Sequence, residues 1–257
     1  MKLQCVLTAT TADPLYMDFV PLFVEAWKKL YPTVETKIIL VHDRIPLELE
    51  KYKEHLILFR PLPRVSNAFV SQYIRLLYPA LLTQYDHGVL ITDIDMLPMS
   101  STYYTKSIES VADNAFVYYR DGCTAANQFA MCYNVAAPKT WMEIFRIYGL
   151  QQVEERLDDL FHLMDHYEVA GKGWFTDQKD LFASVMKWHM TTGRFVALND
   201  AGTGFQRLCR ASFPWCVDLE QFKKQIGSGA YSDYHCLRPY HDYKDMNDII
   251  LTNLPTV

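Results

Sequence analysis

The run Gly88-Val89-Leu90-Ile91-Thr92-Asp93-Ile94-Asp95 decides how this chain is read. Its centre is apolar without alternation, opens on a glycine and closes on polar residues. That is the pattern of a short strand buried on both faces. Just upstream, residues 66–82 carry Phe69, Tyr73, Leu76 and Leu77 at helical spacing, with Pro79 expected to kink or shorten the helix. Working back toward the N-terminus, residues 5–9, 37–41 and 55–59 predict further strands. Residues 16–30 predict a helix on Phe19, Phe23, Trp27 and Leu30 that stops before Pro32, and residues 46–54 predict a short one. Strand and helix in alternation, with continuously apolar strands, predict an α/β fold with a mostly parallel sheet flanked by helices. Such sheets bind ligands beyond the carboxyl ends of their strands. The residues to inspect are therefore Thr8 to Thr11, His42-Asp43 and the acidic pair Asp93 and Asp95.

The second half is less regular. Residues 115–119 and 129–134 predict strands; residues 139–148, 153–167 and 177–189 predict helices. The stretch 228–245 is rich in Tyr, His and Asp. No linker, repeat or composition break divides the 257 residues, so a single domain is expected over 1–257. Half the residues are apolar and 21% are charged, which excludes a disordered or collagen-like chain. A net charge of −5 gives no overall basic footprint, so no nucleic-acid partner is expected. The six cysteines include no CxxC pair, against a zinc ribbon or thioredoxin-type site. No apolar run approaches the ~18 residues of a membrane span, no signal-peptide pattern opens the chain and no Asn-x-Ser/Thr acceptor occurs. These features lead to the expectation of a reducing, cytoplasmic setting.

Asp93 and Asp95 leave the end of a buried strand one residue apart, where positions i and i+2 of an extended chain point to the same side. Both carboxylates are then expected to face one spot. Two like charges so placed are costly unless a cation or donors compensate them, and a hard divalent cation is the simplest compensation. The plain alternative is a solvated turn.

The stretch Ser71-Gln72-Tyr73-Ile74-Arg75-Leu76-Leu77-Tyr78-Pro79-Ala80-Leu81-Leu82, followed by Gly88 through Asp95 and Met96-Leu97-Pro98, resembles the core of GT-A-fold glycosyltransferases. In that family an Arg-bearing helix precedes an apolar strand ending in Asp-x-Asp, and the pair holds a metal that bridges the diphosphate of a nucleotide-sugar. Further segments resemble the glycogenin-like branch. These are Asn127-Gln128-Phe129-Ala130-Met131-Cys132-Tyr133-Asn134, with Phe129 where the branch has glycine; Trp174-Phe175-Thr176-Asp177-Gln178; and His235-Cys236-Leu237-Arg238-Pro239-Tyr240, a shortened form with Arg for Lys and Tyr for Trp.

The resemblance implies a GT-A-like (Rossmann-like) sheet, with a nucleotide-binding half over about 1–100 and an acceptor and donor-sugar half over about 101–257. It implies Mn2+ or Mg2+ on Asp93, Asp95 and His235, with His241 a rival to the last. It implies donor contacts from Thr8, Thr10, Tyr16, Arg75, Asp93, Asp121, Asn127 and Arg238. Tyr16 is expected to stack on the base, and Arg75 and Arg238 to offset phosphate charge. For Arg75 a structural salt bridge to Asp93 stands as the alternative. Asp177 and Gln178 are implied beside the reacting sugar, Asp177 as a hydroxyl contact or general base; its structural alternative is a favourable charge at a helix start behind a Thr176 N-cap. Trp174 is a candidate for packing on a sugar face. The implied partners are a nucleotide-sugar donor, a UDP-sugar by the same resemblance, and a glycan, protein or small-molecule acceptor. Retention of anomeric configuration is a weak preference. Segments 99–108 and 200–215 are candidates for the acceptor surface.

Competing readings have less support. A sugar-nucleotide nucleotidyltransferase carries a Gly-rich loop near residue 10, where this chain has Thr8-Ala9-Thr10-Thr11-Ala12-Asp13. A haloacid-type phosphatase has its Asp-x-Asp after the first strand. His162 and His166 have zinc-protease spacing but lack the adjacent Glu, since Leu163 occupies it. A degenerate member of the fold that binds nucleotide or sugar without turnover is the non-enzyme alternative.

Overall fold

In the computed structural model, which describes residues 1–199 and 201–256, the apolar runs form strands. β1 (Leu3–Thr11), β2 (Glu35–Val41), β3 (Leu56–Phe59) and β4 (Gly88–Ile91) lie parallel in the order β3-β2-β1-β4. Cys5, Val6 and Leu7 of β1 and Val89, Leu90 and Ile91 of β4 are fully excluded from solvent. Burial on both faces is why these strands read as unbroken apolar runs.

The remaining strands are β5 (Met96–Pro98), β6 (Phe116–Tyr118), β7 (Asn134–Ala136), β8 (Phe195–Ala197), β9 (Gln206–Cys209) and β10 (Tyr231–His235). The larger sheet has seven strands, ordered β3-β2-β1-β4-β7-β6-β8. β7 runs antiparallel to both its neighbours and every other pair is parallel. A smaller sheet, β5-β10-β9, pairs β10 antiparallel to β5 and parallel to β9.

Helices cover the sheet as predicted, with differences at prolines and polar residues. The expected helix over 66–82 is an α-helix Asn67–Leu77 followed by a 3-10 turn Tyr78–Leu81 that contains Pro79, whose missing N–H ends the α pattern. The 16–30 segment divides into Pro14–Met17 and Val20–Leu30; the Asp13 carboxylate caps the first by accepting the Leu15 N–H at 2.9 Å. Leu47–His55 is a 3-10 helix. Three later helices span Pro138–Phe145, Leu150–Leu163 and Thr176–Thr192. The strand expected over 129–134 is corrected. Met131–Tyr133 forms a 3-10 turn and pairing begins only at Asn134, whose side-chain amide donates to the Ala130 and Met131 carbonyls and holds the chain bent. Phe129 packs into the core, its ring centroid 4.4 Å from that of Tyr118. Helices Leu219–Gly227 and Lys244–Thr252 close the fold around the smaller sheet. Among the described residues, no helix is long and apolar enough to cross a membrane.

From β1 the strand order runs outward both ways, to β2 on one side and β4 on the other. The carboxyl ends of β1 and β4 therefore flank a topological switch point, the place where open α/β sheets leave a crevice.

Candidate functional site

A cleft of about 330 Å³ opens at that switch point. Thr10 and Thr11 at the end of β1, Arg75 of the helix Asn67–Leu77, and Asp93 and Asp95 after β4 all line it. Asp177 and Gln178, from the first turn of Thr176–Thr192, line it with Tyr16, Trp174, His235 and Arg238. Residues far apart in the chain thus meet where the sheet topology predicts.

The acidic pair is arranged differently from expectation. β4 ends at Ile91, and the Asp93 carbonyl accepts the Met96 N–H at 3.1 Å, closing a tight turn over 93–96. The same-side rule holds for extended backbone and does not apply across a turn. Each carboxylate has its own partners. Asp93, one-third exposed, is hydrogen-bonded and ion-paired to Arg75. Asp95, 5% exposed, accepts from Arg210 Nη1 at 2.6 Å, and the same oxygen lies 3.6 Å from both His235 Nε2 and Arg238 Nη1. Arginines already compensate the two charges, so like-charge cost alone does not call for a metal.

Arg75 is the junction of the site. It is nearly buried, with Nε donating to the Gln72 carbonyl and Nη1 to the Thr92 carbonyl, both at 3.1 Å. Its Nη2 stands 3.6 Å from Asp177 Oδ2. The salt-bridge alternative for Arg75 therefore holds together with a place in the cleft wall. Burial works against the Arg75 charge, but the Asp93 and Asp177 carboxylates outweigh it and raise its pKa. Burial pushes the Asp177 carboxyl up to about 7, against the opposite pull of Arg75. Burial would raise Asp95 as well; there the neighbouring His235 and the hydrogen-bonded Arg210 outweigh it and hold it well below the usual carboxylate range. Thr176 is the first helical residue rather than an N-cap, and no side-chain cap bond forms; Asp177 Oδ1 instead accepts the Gln178 N–H at 2.8 Å.

On the opposite wall, Arg238 Nη1 donates to the Tyr16 hydroxyl at 2.7 Å and its guanidinium lies 5.3 Å from the Tyr16 ring centroid. Burial raises the Tyr16 phenol pKa. His235 ends β10 opposite Cys209 of β9, its Nδ1 3.9 Å from Cys209 Sγ. Trp174 stacks on Tyr167, whose hydroxyl donates to Gln72 Oε1.

Several expected residues are not brought to the cleft. Thr8 is wholly buried within β1 and lies outside the lining. The Asp121 and Asn127 side chains are exposed on the loop before β7 and are also outside it; Asn127 adopts a left-handed φ of 54°. His241 is exposed and pairs with Asp242. His162 and His166 turn to Asp158 and Glu168 respectively, so no helical zinc pair forms. Of the 200–215 segment, Asp200 lies outside the described residues.

Sequence reasoning missed Arg210. It follows β9 directly and reaches across the smaller sheet to Asp95, and no local pattern marks it. Among the described residues, no three His, Cys, Asp or Glu side chains stand together closely enough to hold a metal ion. The donor types nonetheless suit a hard or borderline cation: the Asp95 carboxylate beside the His235 imidazole, with Asp93 in the same cleft.

No protein-family model and no curated protein matches this chain. Solved structures do. An active-site mutant of LgtC aligns at a TM-score of 0.52 with 12% identity, covering 99% of this chain and 97% of that one. The glycosyltransferase GlyE of Streptococcus pneumoniae TIGR4 aligns at 0.50 with 15% identity, covering 98% of this chain; this chain spans 63% of its length. The galactosyltransferase LgtC in complex with donor and acceptor sugar analogs aligns at 0.49 with 13% identity, covering 99% and 97%. The LgtC mutant and GlyE alignments show that the chain shares the fold of these glycosyltransferases, the fold class that the sequence resemblance implied.

Proposed function

We propose that this chain is a metal-dependent glycosyltransferase that moves a sugar from a nucleotide-sugar, by preference a UDP-sugar, to an acceptor hydroxyl with retention of configuration. The observation that carries this reading is the composition of the switch-point cleft. Arg75, Arg210 and Arg238 converge on two aspartates beside a histidine, with a tyrosine ring at one wall and a buried carboxyl with its amide neighbour at the other. Fold alone does not give function; this set of groups matches what transfer from a diphosphate-activated sugar requires.

Asp95 and His235, joined by Asp93, are the residues that would hold Mn2+ or Mg2+. When bound, such an ion supplies Lewis-acid stabilisation of the departing diphosphate. Arg75 and Arg238 offset the negative charge that grows on the leaving oxygen, where a fixed cation helps most. The Tyr16 ring, braced by Arg238, offers a face for the base; such stacking contributes roughly 1–3 kcal/mol. Asp177, with its pKa raised to about 7, changes protonation in the neutral range. It can therefore hold a sugar hydroxyl or accept the proton of the acceptor hydroxyl. The Gln178 side-chain carbonyl is suited to offset positive charge at the anomeric carbon. The acceptor, a glycan, protein or small molecule, would approach past segments 99–108 and 201–215.

The test is Asp95→Asn, studied by calorimetry with UDP and Mn2+. Loss of metal-dependent UDP binding in a folded variant is expected; unchanged Mn2+ and UDP affinity defeats the assignment. A turnover assay run alongside separates an enzyme from a binding module, which would bind tightly and neither transfer nor hydrolyse the donor.

A further inference from the structure

Arg210 has an unusual position. Its guanidinium bonds Asp95 Oδ2 at 2.6 Å and the Cys236 carbonyl at 3.2 Å. The same Asp95 oxygen also faces Arg238 Nη1 and His235 Nε2, each at 3.6 Å. Two guanidiniums and an imidazole therefore share one carboxylate. Among the described residues, neither Arg210 nor Arg238 has a second carboxylate within ion-pair distance. Positive charge is in excess around this oxygen, and the Arg210 side chain is only 23% exposed, so water does not screen it fully. Such a cluster is short of an anion.

A second observation concerns where Arg210 is attached. It is the first residue after β9, the edge strand of the smaller sheet, and it opens a 3-10 turn rather than a helix. Asp95 and the Cys236 carbonyl are the only partners that hold its guanidinium among the described residues, and only one of these bonds is to a charged group. A long, flexible side chain so attached can exchange one anion for another at the cost of a rotamer change.

We infer that Arg210 is a diphosphate ligand held in reserve on Asp95: it occupies that carboxylate in the ligand-free cleft and passes to the donor's diphosphate when a divalent cation takes Asp95. This rests on the donor reading above and adds to it a residue and an order of events. Arg210 competes with the cation for Asp95, yet favours the diphosphate. One substitution should therefore move two affinities in opposite directions. A purely structural salt bridge would not do so, since its loss loosens the turn and weakens both.

The experiment compares wild type, Arg210→Ala and Arg210→Lys as full chains. Mn2+ alone is followed by electron paramagnetic resonance, and UDP and uridine by calorimetry at saturating Mn2+. In Arg210→Ala, Mn2+ alone should bind about fivefold more tightly, the weight of a partly exposed ion pair of about 1 kcal/mol. UDP should bind roughly ten- to a hundredfold more weakly, as for a lost hydrogen bond to a charged group. Uridine, which lacks phosphate, should be unaffected, and Arg210→Lys should fall between on both counts. If Arg210→Ala does not fold, Arg210→Gln replaces it, because an amide can still donate to the Cys236 carbonyl. Mn2+ and UDP affinities that fall together, or a UDP affinity that does not move, overturn the inference while leaving the donor reading in place. A wild-type chain that binds neither Mn2+ nor UDP overturns the donor reading, and this inference with it.

Discussion

Asp177→Asn tests the electrostatics of the site without reference to any ligand. The Asp177 carboxyl is 4% exposed and sits 3.6 Å from Arg75 Nη2, and burial raises it from 3.8 to about 7. In the unfolded chain the same group ionises near its ordinary value. Between about pH 4 and pH 7 the folded protein therefore keeps a proton that the unfolded chain releases, so stability falls as pH rises through that window. The gap, at about 1.4 kcal/mol per pH unit, amounts to roughly 4 kcal/mol. For a chain of this size that is on the order of 8–16 °C in Tm. Asparagine keeps the shape and can still accept the Gln178 N–H, but it does not titrate. Thermal melts of both proteins from pH 4 to pH 8 isolate the effect: the stability of Asp177→Asn minus that of wild type should rise by about that amount across the window and level off above it. A difference that stays flat over the whole range refutes the reasoning, since it would mean that Asp177 ionises alike in the folded and unfolded chain.

Two other substitutions probe the frame and the limits of the cleft. At Gly88 an added Cβ would lie 2.9 Å from Val135 Cγ2 and 3.1 Å from the Lys2 carbonyl oxygen, so Gly88→Ala should overpack the β4–β7 contact and cost about 1–3 kcal/mol in chemical denaturation. A variant as stable as wild type would show that the strands can separate without penalty. Asp121 lies outside the cleft lining, so Asp121→Ala should leave UDP affinity within about twofold; a tenfold loss would bring that loop into the donor site.

In the first sheet, β1 and β4 were readable from sequence because they are buried on both faces, as Cys5 to Leu7 and Val89 to Ile91 show, whereas β7 was misplaced and the partly exposed β8 was not found. The smaller sheet was not readable. β10 reads Tyr231-Ser232-Asp233-Tyr234-His235, and its Ser232 and Asp233 are wholly buried yet polar. Asp233 is satisfied by the Tyr133 hydroxyl at 2.8 Å, by Arg207 Nε at 3.2 Å and by Ser232 Oγ at 2.6 Å. With Ser232 and Asp233 buried between the buried Tyr231 and Tyr234, the strand carries no apolar period, so hydrophobic patterning cannot find it. The site divides in the same way. Asp93, Asp95 and Arg75 stand in or beside strongly patterned elements, and Asp177 at the head of a helix; all could be read. Arg210 meets Asp95 only because β9 docks beside β10, a fact of tertiary packing with no local trace. Asp121 and Asn127 stand outside the cleft lining for the opposite reason: chain order near a motif does not fix where an exposed loop points.

The turn at Asp93 gives the acidic pair a further physical meaning. Asp93 stands at its first position and faces Arg75, on the helix that covers the large sheet. Asp95, two residues on, faces Arg210, His235 and Arg238, all carried by the smaller sheet or the chain leaving it. Its own carbonyl accepts the Cys236 N–H at 2.9 Å, and β5 begins at the next residue and pairs with β10. The Asp-x-Asp tripeptide is thus where the chain passes from one sheet to the other, with one carboxylate committed to each side. Had the backbone stayed extended, both charges would face one spot and need a cation or shared donors to offset their repulsion. Because it turns, each charge is neutralised by an arginine from a different layer, and the cleft can be complete and stable before any ligand arrives. On the reading proposed above, binding would be an exchange of ionic partners within a formed site, which requires less reordering than building the site around its ligand.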